Sequence, residues 1–466
     1  MTDLKFQYSL SGLCHNVYER TSEIMELEQL TKVIKDSGVA GAGGAGFPTY
    51  AKLDKRADTI ILNCAECEPL LKLHRQVLEK YAYEIMSALN TIAEAVEAKN
   101  VIIAVKGSYK KTVQAVNENL SKFNNMKIGL LPEIYPAGDE VILIYETTGR
   151  VVPPGNIPIS VGVTVFNVET ILNVYNAINS LGAVTYKYIT IAGEVRNPVT
   201  LKAPLGITYG ELVELAGGAT VKDSVLIAGG PMTGRICGPE ETVTKTSNAI
   251  LVMPKDAFIV VKRMRKTSVD VKRAMSACCQ CQMCTDLCSR NLLGHPIKPH
   301  LFMRNLSGGV SNDTDPYINT FFCSQCGICE MYACFQGLSP RSLIGDCKAE
   351  LRKAGVPVPK DVELKAVAQE REYRKVPMSR LTSRLGLSKY NVPAPLIDEI
   401  INADTVKIML SQHIGAPAAA CVKVSDKVTE GQVIAAAADG KLSVPVHSSI
   451  NGTVTEVSDK YIVIRK

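Results

Sequence analysis

The sequence predicts a multidomain protein of the α/β class, and three observations carry that reading. Apolar runs of strand length alternate with helical repeats between residues 24 and 123, the pattern of a parallel sheet covered by helices. Two cysteine runs come later in the chain, each with C-x2-C-x2-C spacing and a fourth cysteine downstream. The last sixty residues break into short β segments punctuated by Gly, Asp and Pro, the habit of a compact β module.

Taken in chain order, residues 1–23 are an N-terminal extension. Ile24, Leu27, Leu30, Val33 and Ile34 fall at helical spacing with charges between them, so 24–35 is an amphipathic helix. Gly38 closes it, and the glycine-rich loop "GVAGAGGAGFPTYAKL" comes next. "TIILN" (59–63) and "VIIAV" (101–105) read as strands, with helical stretches at 75–98 and 109–123. These elements make an α/β domain over 24–182. From "YKYITIAGEVRNPVTLKAP" to "SVLIAGGPMTGR" turn residues recur at short intervals, which marks a β-rich domain over 183–262. The cysteine-bearing domain takes 263–350, a Pro- and charge-rich connector 351–400, and the β module 401–466.

The 466 residues are 46% hydrophobic and 21% charged, a composition that builds sizeable cores. No apolar run approaches the roughly 18 residues a membrane span needs. A net charge of +6 with no basic stripe interleaved with aromatics argues against a nucleic-acid partner. Lys262, Arg263, Arg265, Lys272 and Arg273 crowd ahead of the first cysteine run. Such a run is more often a solvated linker; the functional alternative is that it offsets negative charge at the cysteine sites or steers an acidic partner.

Cys278, Cys281, Cys284 and Cys288 form the first run, and Cys323, Cys326, Cys329 and Cys334 the second. Two-residue gaps curl the chain so that three thiolates meet one face of a [4Fe–4S] cubane. In two-cluster ferredoxins the fourth ligand comes from the other run. The expected sets are therefore Cys278, Cys281, Cys284 and Cys334 for cluster 1, and Cys323, Cys326, Cys329 and Cys288 for cluster 2. Zinc prefers two separated pairs. Disulfides fit poorly with 15 cysteines and no secretory signal, and thiolate clusters imply a reducing, cytoplasmic compartment. Cys279 is the spare candidate. Ser289 and Phe335 stand where the ferredoxin pattern has proline.

Gly41, Gly43 and Gly46 spell G-x-G-x-x-G, with Glu66 twenty residues on. A Rossmann loop follows a strand and opens a helix, whereas here a helix precedes the loop and Pro48 interrupts the chain just after it. The glycines still let backbone N–H groups approach a phosphate; a structural glycine turn is the plain alternative. Asn63, Glu66 and Glu68, then Asp139 and Glu140, then Asn167 and Thr170 cluster near strand ends, where ligand crevices of open α/β sheets lie. Each could equally be a solvated strand end.

Together "GAGGAGFPTYAKL", "NCAECEP", "YPAGDEVILI", "TGRVVPPGNIP" and "NVET" resemble the flavin- and NADH-binding subunit of respiratory complex I, and more closely the RnfC-type electron-transfer proteins. The order of glycine-loop domain, SLBB-type β-grasp-like domain, two-cluster ferredoxin-like domain and C-terminal barrel-sandwich module is similar to that of the cobalamin reductases of propanediol-utilisation microcompartments. RnfC proteins carry the barrel-sandwich at the N-terminus, which favours the cobalamin-reductase resemblance. The resemblance implies FMN held by Gly41, Gly43, Gly44, Gly46, Lys52, Asn63, Glu66, Asp139, Glu140, Asn167 and Thr170, with Phe47 and Glu68 near the nicotinamide nucleotide. Ala65 stands where complex I has an aspartate, and His74 has no assigned role.

The implied activity is an NADH-dependent oxidoreductase passing electrons through FMN and two [4Fe–4S] clusters to cobalamin, in support of a B12-dependent diol dehydratase. A cobalamin adenosyltransferase and microcompartment shell proteins are the implied partners, and a bacterial microcompartment in the cytoplasm the implied place. No D-x-H-x-x-G run is present, so a corrinoid would be a visiting substrate. The alternatives are an RnfC-like module feeding ferredoxin and a non-enzymatic metal-binding scaffold. Lys441 falls near the hairpin tip where carrier domains present a modified lysine, but without the flanking residues of one, so docking or structural use is expected. His413 and His447 are expected in core or turns.

Overall fold

The computed structural model describes residues 25–309, 312–360 and 362–466. The extension assigned to 1–23 lies outside them. The first sheet is built from β1 (Thr59–Cys64), β2 (Asn100–Lys106), β3 (Met126–Leu131) and β5 (Val163–Asn167), all parallel in the order β3-β2-β1-β5. The short β4 (Ile134–Tyr135) stands apart from it. Along β1 and β2 the side chains alternate between two cores. Ile60, Leu62, Val101 and Ile103 pack with α1 (Leu27–Asp36), α2 (Leu73–Lys80), α3 (Ala82–Val96), α4 (Lys110–Leu120) and α6 (Val168–Ile178). Ile61, Ile102 and Ala104 pack on the other face with α5 (Glu140–Thr148). Burial on both faces is why these strands read as unbroken apolar runs.

The helical stretch read over 75–98 is two helices. Tyr81 leaves the helical region at φ −118, its hydroxyl donating to Asp398, which also pairs with Lys80 at 2.6 Å.

A mixed sheet comes next, formed by β6 (Tyr186–Gly193), β7 (Val199–Pro204), β8 (Ser224–Ala228), β9 (Arg235–Cys237) and β10 (Ala249–Pro254). Helix α7 (Tyr209–Leu215) opens on a capping box between Thr208 and Glu211. The connector does not run free. Its β11 (Val376–Pro377) pairs with β4, and its β12 (Leu396–Ile400) lies parallel to β7.

The cysteine region is helical: α8 (Phe258–Met264), α9 (Thr267–Ala277), α10 (Met283–Asp286), α11 (Ser289–Leu292), α12 (Pro299–Gly308), α13 (Asp315–Ile318) and α14 (Pro340–Lys353). Phe302, Met303, Leu343 and Ile344 form its core with Ala274. In the connector, α15 (Met378–Arg384) follows β11. The C-terminal module sandwiches two antiparallel sheets. One is β13 (Thr405–Met409), β19 (Tyr461–Arg465), β18 (Gly452–Val457) and β15 (Lys427–Val428); the other is β14 (Ala419–Ala420), β16 (Val433–Ala436) and β17 (Val446–His447). Among the described residues no helix is long and apolar enough to cross a membrane.

Candidate functional site

A cavity of about 720 Å³ opens where β1 and β5 end, and all thirteen residues expected at a flavin–nicotinamide site line it. The loop Gly41–Phe47 closes on itself through Gly41 N–H to Phe47 O (2.9 Å) and Gly46 N–H to Gly43 O (3.2 Å). Among the described residues, the N–H groups of Gly43, Gly44 and Ala45 meet no protein acceptor. At Gly43 a Cβ would come within 2.8 Å of Asn248 Nδ2, so any side chain there must displace the Asn248 amide. Gly44 has φ +60 and faces open space. Helices α5 and α6 begin at the cavity wall. Asp139 caps α5 by accepting from Val141 and Ile142, and Asn167 caps α6 by accepting from Glu169. Two helix N-termini and a run of free N–H groups suit an anionic phosphate.

Thr170 Oγ1 accepts from Ala42 N–H at 2.9 Å and pins the loop to α6. Lys52 Nζ donates to Val165 O at 2.9 Å and lies 3.5 Å from Glu140. Asn63 spans the end of β1, donating to Gly138 O at 3.0 Å while its own oxygen accepts from Ala65 N–H. Glu66 is buried; one oxygen accepts from His74 N–H at 2.8 Å. The other has Arg75 at 3.6 Å and accepts no hydrogen bond. Such an orphaned acceptor in a cavity wall calls for a donor from a ligand. These donors and acceptors fit a flavin mononucleotide.

His74 now has a place. Its Nε2 accepts from the Asn167 side-chain amide at 3.0 Å, and burial pushes its pKa down to about 3, so the ring is neutral. Glu68 lines the cavity mouth, but its carboxylate accepts from Met232 N–H and Thr233 N–H in the β8–β9 turn. It latches the flavin-type domain to the second sheet. Sequence reasoning passed over Cys67, whose Sγ accepts from Gly138 N–H at 2.7 Å and whose pKa burial pushes up to about 12. It also passed over Tyr135, Thr233, Asn248 and Ser324, which line the cavity from other parts of the chain. Cys67, Tyr135 and Ser324 sit within the motifs that could have flagged them, in "NCAECEP", "YPAGDEVILI" and the second cysteine run.

Cys326 lines this same cavity. Tyr135 holds it there, its hydroxyl donating to Cys326 O at 2.5 Å. Arg290, two residues past Cys288, donates to both Asp139 oxygens at 2.9 Å. The cysteine domain is thus fastened to the cavity by hydrogen bonds on two sides.

The two runs share a local conformation. Gln280 and Gln282 in the first, and Gln325 and Gly327 in the second, take positive φ at matching positions between the cysteines, which curls each run. Cys334 lines a small cavity with Cys278, Cys281 and Cys284. Burial and then the charges of Cys334, Cys281 and Cys278 push the Cys284 thiol up to about 12. For Cys288 burial acts first, and the thiol charges that add to it are those of Cys326 and Cys323, again to about 12. Converging buried thiols of this kind need compensating positive charge to ionise, which iron supplies; the donor set fits two [4Fe–4S] clusters. Cys279 is exposed and lines the first cavity without belonging to the four.

The basic run is no free linker. Buried Lys262 donates to Gly337 O (2.9 Å) and Leu338 O (2.7 Å), just past Cys334, and Arg263 donates to Pro231 O and Gly234 O. In the C-terminal module Ile414 N–H donates to Ala45 O in the glycine loop at 2.8 Å. His413 is a turn histidine bonded to Ile414 O and Val444 N–H, and His447 is buried. Lys441 is exposed in the turn between β16 and β17.

Four family models match the chain: a Nuo51 FMN-binding domain over 34–176, an SLBB domain over 188–236, a 4Fe-4S dicluster domain over 277–339 and an RnfC barrel sandwich hybrid domain over 388–466. Cobalamin reductase PduS of Citrobacter freundii is 38% identical over 95% of this chain and 98% of its own. The PduS of Salmonella typhimurium is 37% identical over 94% and 97%. One component of the Na(+)-translocating ferredoxin:NAD(+) oxidoreductase complex of Acetobacterium woodii is 30% identical over 58% of this chain and 60% of its own. A likeness that runs nearly end to end through both PduS proteins decides the assignment: the chain belongs to the PduS family of cobalamin reductases.

Proposed function

We propose that the protein carries electrons from NADH to a corrinoid, reducing cob(III)alamin to cob(II)alamin, with FMN and two [4Fe–4S] clusters as its resident carriers. The observation that carries this reading is the shared wall: Cys326 belongs to the same cavity as the glycine loop. What the flavin supplies when bound is conversion of a two-electron hydride donor into single electrons that clusters accept.

The chain's own residues do the rest. Gly43, Gly44 and Ala45 offer N–H groups to the phosphate, and Asn63, Glu66 and Asn167 offer hydrogen bonds to the polar edge of the cofactor. Lys52 supplies a cation that favours an anionic reduced ring. Phe47, 37% exposed beside the loop, and Glu68 border the nicotinamide side. Cys278, Cys281, Cys284 and Cys334 hold one cluster, and Cys323, Cys326, Cys329 and Cys288 the other. Tyr135 and Arg290 keep the second set against the flavin cavity.

The harder step from cobalt(II) to cobalt(I) is assigned to a partner that binds the product, an adenosyltransferase in chemical terms. The family resemblance supports a place inside a cytoplasmic microcompartment, among shell proteins. Anaerobic mixing of the protein with NADH and hydroxocobalamin is expected to yield the cob(II)alamin spectrum. Rapid dye reduction with no cobalamin turnover would replace this reading with a ferredoxin-linked one.

A further inference from the structure

In the reading above FMN and the nicotinamide nucleotide take up the cavity of about 720 Å³, which leaves the acceptor to another surface. A separate open groove of about 620 Å³ lies between the stretch around Cys334 and α15, lined by Tyr332, Phe335, Ser379, Arg380, Ser383 and Arg384. Phe335 is common to this groove and to the cavity of Cys278, Cys281, Cys284 and Cys334. It follows Cys334 directly and is 59% exposed. The opposite wall is α15, whose Arg380 and Arg384 stand one turn apart and face the same way. Among the described residues neither arginine has an ion pair or hydrogen-bond partner, and no carboxylate lines the groove.

We infer that this groove is the exit site, where a corrinoid seats its edge to take electrons from the first cysteine set. The inference rests on the corrinoid reading proposed above. Cobalamin carries one phosphodiester, a rim of amides and an apolar macrocycle face. Two unpaired guanidinium groups suit the phosphodiester, since arginine binds such oxygens with charge-assisted hydrogen bonds. Ser379 and Ser383 can bond amides, and Phe335 and Tyr332 offer apolar faces. The groove is open, so a body larger than its volume can rest an edge against Phe335. The relay is then ordered: flavin cavity, Cys326 set, Cys334 set, groove. The balance is one NADH and two aquacob(III)alamins giving NAD+, one proton, two cob(II)alamins and two waters, each cobalt taking one electron.

The test is steady-state kinetics of the full-length, flavin- and iron-loaded protein carrying Arg380→Gln with Arg384→Gln. Flavin and iron contents report that the variant is intact. The KM for hydroxocobalamin should rise about tenfold, the loss of one good ionic contact, with kcat little changed. The KM for cobinamide, which lacks the phosphodiester, should not move, and lysine at both positions should restore part of the loss. An unchanged KM in a variant of an active wild type overturns the site alone. So does an equal rise for cobinamide, or a loss confined to reduction of an acidic ferredoxin. A wild type that cannot reduce hydroxocobalamin overturns the functional reading, and the site with it.

Discussion

Cys288 and Cys334 each lie beside the cysteine run to which they do not belong. Serine at either position replaces a thiolate with a much weaker iron ligand, so the damage should fall on the opposite run's cluster. Cys334→Ser is expected to remove the cluster of Cys278, Cys281 and Cys284, and Cys288→Ser that of Cys323, Cys326 and Cys329. EPR of the reduced single variants reads which signal survives; loss of the cluster of the variant's own run would refute the crossed sets. The spacing made these eight residues legible because a C-x2-C step is a local instruction. Their supports were not. Arg290 reaches Asp139, and Tyr135 reaches the Cys326 carbonyl, across more than a hundred residues of chain. His74 likewise gained a role only when Asn167 arrived beside it.

Among the elements, the glycine loop invites a direct test. Gly44 sits at φ +60 with nothing within 4 Å of where a Cβ would stand. Valine there meets left-handed backbone that costs about 1–2 kcal/mol, and its side chain enters the space expected to hold phosphate. Gly44→Val should leave the purified protein nearly free of flavin while iron per chain stays near that of wild type. Stoichiometric flavin in that variant would displace the phosphate from the loop. The loop and the strands β1 and β2 could be read from sequence because their signals are local. Tyr81 could not be foreseen as a helix break, since Asp398 is what draws it out. Nor could the connector's strands: Val376–Pro377 and Leu396–Ile400 carry no marked periodicity, and partners in two distant sheets make them strands.

At the scale of the whole molecule, three domains meet at one buried amine. Lys245 Nζ donates to Gly38 O at 2.7 Å and to Pro445 O at 3.0 Å. Among the described residues no carboxylate pairs with it, and burial drives its pKa from 10.5 down to about 7. Its histidine neighbours, His413 and His447, are themselves shifted downward by burial, so they stay neutral above pH 7. A neutral amine keeps two N–H donors, enough for both carbonyls. The unfolded chain holds the lysine proton up to about pH 10, whereas the folded one releases it near 7. Stability from this group therefore rises with pH through that window. Thermal melts of wild type and Lys245→Met should show the wild type gaining on the variant between pH 7 and 10. A constant gap would mean that Lys245 is charged in the folded state.

The hydrogen bond from Ile414 to Ala45 has a bearing on how the protein is made. A ribosome releases the glycine loop long before Ile414, and domains fold as they emerge. The flavin-type domain can assemble its sheet during synthesis, yet its loop lacks this contact until Ile414 is out. Closure of the loop therefore waits on synthesis of the barrel-sandwich module. A nascent chain halted before residue 414 would expose an unfinished loop, and one that carries the barrel-sandwich module closes it.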